Sequence, residues 1–366
     1  MGIIIPTSGS DNHQEDVLHT ELSIIEGAYL RDLLDQPESL SATLASLVTP
    51  KPLREIATKL RGGRFRCIVL TGMGSSFHAL HPTNIDLINH GLVAMMVETS
   101  ELVHYKRQLF DPKTLIIAVS QSGQSAEMVR LLQINRRKST IIAVTNTADS
   151  PLARHADATL LTQAGNEFSV SCKTYATALM TLRWLSDLLC ERDQRRTHRE
   201  LNEASPMVRN YLNNWKDHAQ ILAKLLAGTR HLFLVGRGAS LAAVGTGALV
   251  VKESDHFHAE GMSSAAFRHG PFEMLGGEIF VLVFAGDGKT RDLNRGLVED
   301  IREQRGRTEL VGEDTEYAAL RLPSAPASIH PILEILPVQM ITLALAAQVG
   351  REPGRFELAT KVTTRE

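Results

Sequence analysis

Short, nearly continuous apolar runs alternating with helical patterns constrain this chain more than any other feature of its sequence. Cys67-Ile68-Val69-Leu70, Val93-Ala94-Met95-Met96-Val97, Leu115 to Val119, Thr140 to Val144 and Ala158 to Leu161 are five such runs. Each has the length of a strand, and each lacks the polar alternation of a sheet with one wet face. Strands apolar on both sides belong to a parallel sheet covered by helices on both faces, so the fold class is α/β. In such sheets ligands bind where the strands end, at the carboxyl edge. Two turns fall at that edge: Gly72-Met73-Gly74-Ser75-Ser76 after the first run, and Ser120-Gln121-Ser122-Gly123-Gln124-Ser125 after the third.

The second of these turns opens a helix, Ala126 to Leu132. It therefore sets unpaired backbone N–H groups, the positive end of a helix dipole and neutral side-chain donors at one spot. That combination holds an anion of phosphate size without a lysine. A serine-rich helix cap with no ligand reads the same way locally.

The pattern recurs. His231 to Val235 runs into Gly236-Arg237-Gly238-Ala239-Ser240, and Ile279 to Phe284 stands where the first unit has Leu115 to Val119. After it comes Ala285-Gly286-Asp287-Gly288, whose acid repels phosphate. Two similar αβα units with one full anion site per chain are expected. A loose tail occupies residues up to about His13, and a helix runs from Gln14 to Leu34. Glu191 to Arg196 is read as an exposed charged linker, and helices at Thr174 to Arg192 and Arg199 to Leu226 flank it. The domains are then a tail over 1–20, a first unit over 21–195 and a second over 196–366.

Composition excludes several classes. With 366 residues and a net charge of −2, the chain has no basic excess to draw nucleic acid or an anionic membrane. No stretch has the roughly 18–20 uninterrupted apolar residues of a membrane span, and the start lacks a secretory signal. Cys67, Cys172 and Cys190 form no Cys-x-x-Cys pair and read as reduced thiols of a cytoplasmic protein. Gly72-x-Gly74 and Gly236-x-Gly238 hint at a dinucleotide fingerprint, but Phe77 and Leu241 stand where the third glycine belongs.

Ionisable residues concentrate in the second unit: Lys252-Glu253 near a helix end, His256, His258 and Glu260 beyond it, and Arg268-His269-Gly270-Pro271. A histidine and a carboxylate at a sugar pocket suit ring opening and proton transfer through an enediol. The same residues also read as ordinary surface polar groups, and the spacing of His256, His258 and Glu260 matches no zinc pattern.

Taken together, the Gly-Met-Gly-Ser-Ser turn, the Ser120–Ser125 turn, Lys252-Glu253, His258-Ala259-Glu260 and Arg268-His269-Gly270-Pro271 resemble the double sugar-isomerase (SIS) domain family. The isomerase half of the glucosamine-6-phosphate synthases, without their glutaminase domain, is the part it looks like. The resemblance implies two tandem αβα domains, each with a mostly parallel, flavodoxin-like five-stranded sheet. It implies a phosphate held by Ser120, Gln121, Ser122 and Ser125, with Gly74, Ser75, Ser76, Val170 and Cys172 around the sugar. It further implies Glu253 as the proton carrier between carbons 1 and 2, and His269 as a ring-opening residue reaching the site from the partner of a homodimer.

Two departures accompany it. Val250 stands where the synthases carry a lysine, and their Schiff-base lysine aligns with Thr360, one residue before Lys361. Lys361 is taken as the residue assisting at carbon 2. The implied partner is a sugar phosphate such as fructose 6-phosphate or a glucosamine 6-phosphate, with no cofactor, metal, nucleic acid or membrane. Two functions follow from this reading: a phosphosugar isomerase or amino-sugar-phosphate deaminase/deglycase, or a non-catalytic sugar-phosphate sensor.

Overall fold

A computed structural model describes residues 23–358 and 360–363. The 1–20 tail and the first part of the Gln14–Leu34 helix lie outside the described residues. Within them, a short 3-10 turn at Ser23–Ile25 gives way at Gly27 to helix α1 (Ala28–Leu34). Helix α2 (Gln36–Ser46) starts with Pro37 in its first turn, and α3 (Lys51–Arg61) with Pro52, where a missing N–H costs nothing.

The first αβα unit follows. Strand β1 (Cys67–Gly72) leads to the short α4 (Gly74–His78) and to α5 (His81–Asn89). After β2 (Ala94–Glu98) and α6 (Thr99–His104) comes β3 (Thr114–Val119), then α7 (Ala126–Asn135), β4 (Thr140–Thr145), α8 (Pro151–His155) and β5 (Ala158–Leu161). The strands pair in parallel in the order β2-β1-β3-β4-β5, the flavodoxin-like order, with its switch point between β1 and β3. Every residue of β1 and β3 is buried, as their unbroken apolar runs require, whereas edge strand β2 buries only Val97.

Helix α9 (Lys173–Leu189) leaves this unit, and α10 (Gln194–Asn202), α11 (Ala204–Leu212) and α12 (Trp215–Leu225) lead to the next. The expected helix over 199–226 is thus three helices, interrupted at Glu203 and at Asn213-Asn214. The expected linker is also only partly free. Arg192 folds back to ion-pair Asp187 at 2.7 Å and Asp86 at 3.3 Å, and Asp193 caps α10 by accepting from the Arg195 N–H.

The second unit contains β6 (His231–Gly236), α13 (Leu241–Asp255), β7 (His258–Ser263), α14 (Ser264–Arg268), β8 (Ile279–Phe284), α15 (Arg291–Glu303), β9 (Arg307–Val311) and α16 (His330–Val349). Its sheet is parallel in the order β7-β6-β8-β9, with four strands among the described residues rather than the five expected. The fifth is reduced to one bridge, Gly312 to Arg321. Pro323 follows two residues later and has no N–H to extend a ladder.

Helix α16 passes between core layers and packs on α13 and α12. It is long and apolar enough to cross a membrane, but 89% of its apolar window is buried inside the protein. Its hydrophobicity on all sides is that of a core helix.

Candidate functional site

A cavity of about 270 Å³ opens at the switch point of the first sheet. Its floor is the Ser120–Ser125 turn. Gly123 sits there at φ +61°, in the left-handed region that favours glycine, and an added Cβ would lie 2.2 Å from the Ser150 hydroxyl. The Ser120 hydroxyl accepts from the Gly123 N–H, and Ser125 caps α7 by accepting from the Met128 N–H. Strand β4 steadies the turn from behind: the Asn146 N–H and the hydroxyls of Thr145 and Thr147 all donate to the Gln121 carbonyl. The turn is thereby held by bonds behind it, while Ser120, Gln121, Ser122 and Ser125 line the cavity. Gly74, Ser75 and Ser76 form the adjoining wall.

The opposite wall comes from the second unit. Leu249 and Glu253 stand one helical turn apart on α13 and face the cavity together. Burial pushes the Glu253 carboxyl above its ordinary range, partly offset by the charges of Lys252 and Lys361. Val250, where the synthases have a lysine, is buried in the core next to them.

The third wall is the C-terminal segment. Phe356, Thr360 and Lys361 line the cavity, and the Ala126 N–H at the start of α7 donates to the Thr363 carbonyl. Lys361 Nζ donates to Glu167 Oε2 at 2.9 Å and to the Ser169 carbonyl. Glu167, whose side chain is 0% exposed, also accepts from the Cys172 and Thr174 N–H groups at 3.0 Å and from the Thr174 hydroxyl at 2.7 Å. With the Cys172 thiol at 3.5 Å, this buried carboxylate has five backbone and side-chain donors and is well compensated. Sequence reasoning missed Glu167. Its only signal was an acid in a short polar stretch, Gly165-Asn166-Glu167, before a buried helix.

Other expected residues fall elsewhere. Val170 and Cys172 are buried in the first unit's core and do not line the cavity, whereas Ser169, Ser171 and Thr174 around them do. The chain bends through residues 169–172 ahead of α9, and that bend carries Val170 and Cys172 into the core. Lys173, beside Thr174, is spent on a buried ion pair with Asp32 and Asp35 at 3.2 and 2.7 Å. His269 is exposed at the end of α14 and absent from this chain's own cavity wall. His256 contacts Arg351, and His258 lies 3.2 Å from His231, so these two histidines and Glu260 do not converge; among the described residues no three potential ligands gather around a metal position.

The sequence-family model of the SIS domain matches residues 65–186 and 225–348, one match on each αβα unit. The glutamine–fructose-6-phosphate aminotransferase (isomerizing) of Pyrococcus horikoshii is 30% identical over 346 residues, covering 91% of this chain and 57% of that protein. The same-named protein of Pyrobaculum aerophilum is 29% identical, over 92% of this chain and 57% of its own length. The chain thus spans somewhat over half the length of the curated relatives it matches. Among solved structures, the C-terminal domain of glucosamine-fructose-6-phosphate aminotransferase from Francisella tularensis superposes with a TM-score of 0.79 at 21% identity, covering 90% of this chain and 98% of that one. Tagatose-6-phosphate ketose/aldose isomerase from Escherichia coli gives 0.71 at 18% identity, over 90% and 95%. These two likenesses are of fold. With both units matched and the relatives aligned along nine-tenths of its length, this chain belongs to the SIS domain family.

Proposed function

We propose that this protein is a phosphosugar isomerase or amino-sugar-phosphate deaminase/deglycase acting on a hexose 6-phosphate derivative. One observation carries the reading: a serine-rich turn opening a helix, a half-buried carboxyl and a lysine, from segments more than a hundred residues apart, line a single cavity. The hydroxyls and N–H groups of Ser120–Ser125 hold the phosphate. Glu253 removes a proton from the carbon beside the carbonyl and returns it to the neighbouring carbon. A carboxylate of raised pKa is the stronger base for that step. Lys361, fixed by Glu167, stabilises the negative charge that develops on the enediol oxygen, or condenses with the carbonyl as an amine. Ring opening falls to His269, supplied across a homodimer interface, which agrees with its exposure and its absence from this chain's own cavity lining.

Proton NMR in D₂O with fructose 6-phosphate, glucose 6-phosphate, glucosamine 6-phosphate and fructosamine 6-phosphates tests this. Protein-dependent deuterium uptake at carbon 1 or 2 is expected with at least one of them. Saturable binding without exchange across the panel would instead make the protein a sugar-phosphate sensor.

A further inference from the structure

A second cavity, of about 340 Å³, has no role in that reading. It opens at the carboxyl ends of β6 and β8, the switch point of the second sheet. Counted from the paired Gly-x-Gly turns, and for the second turn from the ends of β3 and β8, its walls repeat those of the first cavity. Ala239 and Ser240 stand for Ser75 and Ser76, and Gly286-Asp287-Gly288 for Gln121-Ser122-Gly123. Ile85 and Asn89 of α5 stand for Leu249 and Glu253 of α13. Each unit thus lends a helix to the other's cavity, and α9 adds Leu179 and Arg183 to the second.

The chemistry at the matched positions differs. Gly286 and Asp287 replace Gln121 and Ser122, so two neutral donors give way to a bare backbone and an acid that disfavours phosphate. Asn89 replaces Glu253, and an amide cannot carry a proton between carbons. This cavity therefore lacks the counterparts of both the neutral anion turn and the proton-carrying carboxyl of the first.

The charges left over indicate what it takes. Arg183 is committed to Asp86 and Asp187, and His330 to Glu334, which also accepts from the Ser240 hydroxyl at 2.6 Å. Arg291, Asp287 and Glu313 line the same cavity and have no ion pair among the described residues. Arg291 and Glu313 are both half-buried, and both lie near enough to His330 to act on its charge. Opposite charges that share a cavity without pairing are satisfied by a small molecule carrying both signs.

We propose that this second cavity is a non-catalytic binding site for a small zwitterion of the α-amino-acid type, its carboxylate on Arg291 and its ammonium on Glu313 and Asp287. The proposal does not depend on the isomerase reading, because it rests on the second unit's own charges.

Saturation-transfer NMR followed by calorimetry on the full chain tests it. The probes are the proteinogenic amino acids, first pooled and then single, with inorganic phosphate and glucosamine 6-phosphate as comparators. At least one amino acid is expected to bind saturably. Arg291→Ala and Glu313→Gln should each weaken it about tenfold or more, and Arg291→Lys should restore part of the loss. Ser122→Ala should leave amino-acid binding unchanged. No saturable binding of any amino acid up to about 10 mM, or binding indifferent to both Arg291→Ala and Glu313→Gln, overturns the proposal. So does phosphate binding that Arg291→Ala abolishes.

Discussion

Glu253 and Glu167 are carboxyls on one cavity with opposite surroundings. Glu253 faces the open space with no hydrogen-bond donor on it among the described residues, and burial raises its pKa. A base of this kind works only when ionised, so activity should fall as pH drops through an apparent pKa above the ordinary carboxylate range. Glu253→Gln should lower kcat by roughly 10²- to 10⁴-fold and remove that acid limb, while calorimetry shows sugar-phosphate affinity within a few-fold of the parent. Glu167 is instead saturated with donors, and its task is to hold Lys361. Glu167→Gln keeps the shape but loses the charge facing Nζ. We expect kcat to drop about 10- to 100-fold with KM little changed. The effect should vanish in a Lys361→Ala background, and a double-mutant cycle measures that coupling. Equal effects in both backgrounds would make Glu167 merely structural.

At the scale of elements, the strand–turn–helix unit of β3, the Ser120–Ser125 turn and α7 is what positions the anion in the proposed reading. Its geometry hangs on one backbone conformation. Gly123→Ala would place a methyl group against Ser150 at φ +61°, a strain of about 1–3 kcal/mol before any repacking. The expected outcome is a lower melting temperature and at least tenfold weaker sugar-phosphate binding, since both the donors and the cap move. Unchanged affinity in a folded variant would show that the anion sits elsewhere. This turn was legible in the sequence because its determinants are local: an apolar run, a glycine and hydroxyl residues in order. The clamp of Glu167 on the C-terminal segment was not. It joins residues 194 apart in the chain, and neither end carries a local signature.

For the whole molecule, the proposed division of the site between two subunits predicts complementation. Glu253→Gln and His269→Ala chains, each inactive alone, should recover about a quarter of wild-type activity when equal amounts are unfolded and refolded together. Half the dimers are then mixed, and each of those has one intact site. Failure to recover would place His269 within its own chain's chemistry or outside the reaction. Stability should also depend on pH through the histidines behind the cavity. Burial holds His81 down to about 4 and lowers His78 as well, with the charge of Lys252 adding to the latter. The unfolded chain binds these protons first, so stability should decline as pH falls from about 6.5 towards 4. His330, raised by its pairing with Glu334, works in the other direction, losing its contribution as pH rises through its folded pKa. Urea unfolding across that range, repeated with His81→Gln, should show a shallower acid decline in the variant.

Local patterning in the sequence was sufficient for the α/β class, the parallel pairing of both sheets, the internal repeat and the serine turn. Apolar runs, glycines and hydroxyl residues act on neighbours a few positions away, and a buried strand must read as apolar wherever it ends up. Only the tertiary structure decided which distant side chains share a cavity. It set Glu167 under Lys361, turned Val170 and Cys172 into the core, and left the second sheet at four strands among the described residues. It also opened a second cavity between α5 and the second sheet, lined by Arg291 and Glu313, which have no ion pair among the described residues. Such contacts depend on how layers pack and on which buried charges find partners, and no stretch of sequence carries that information by itself.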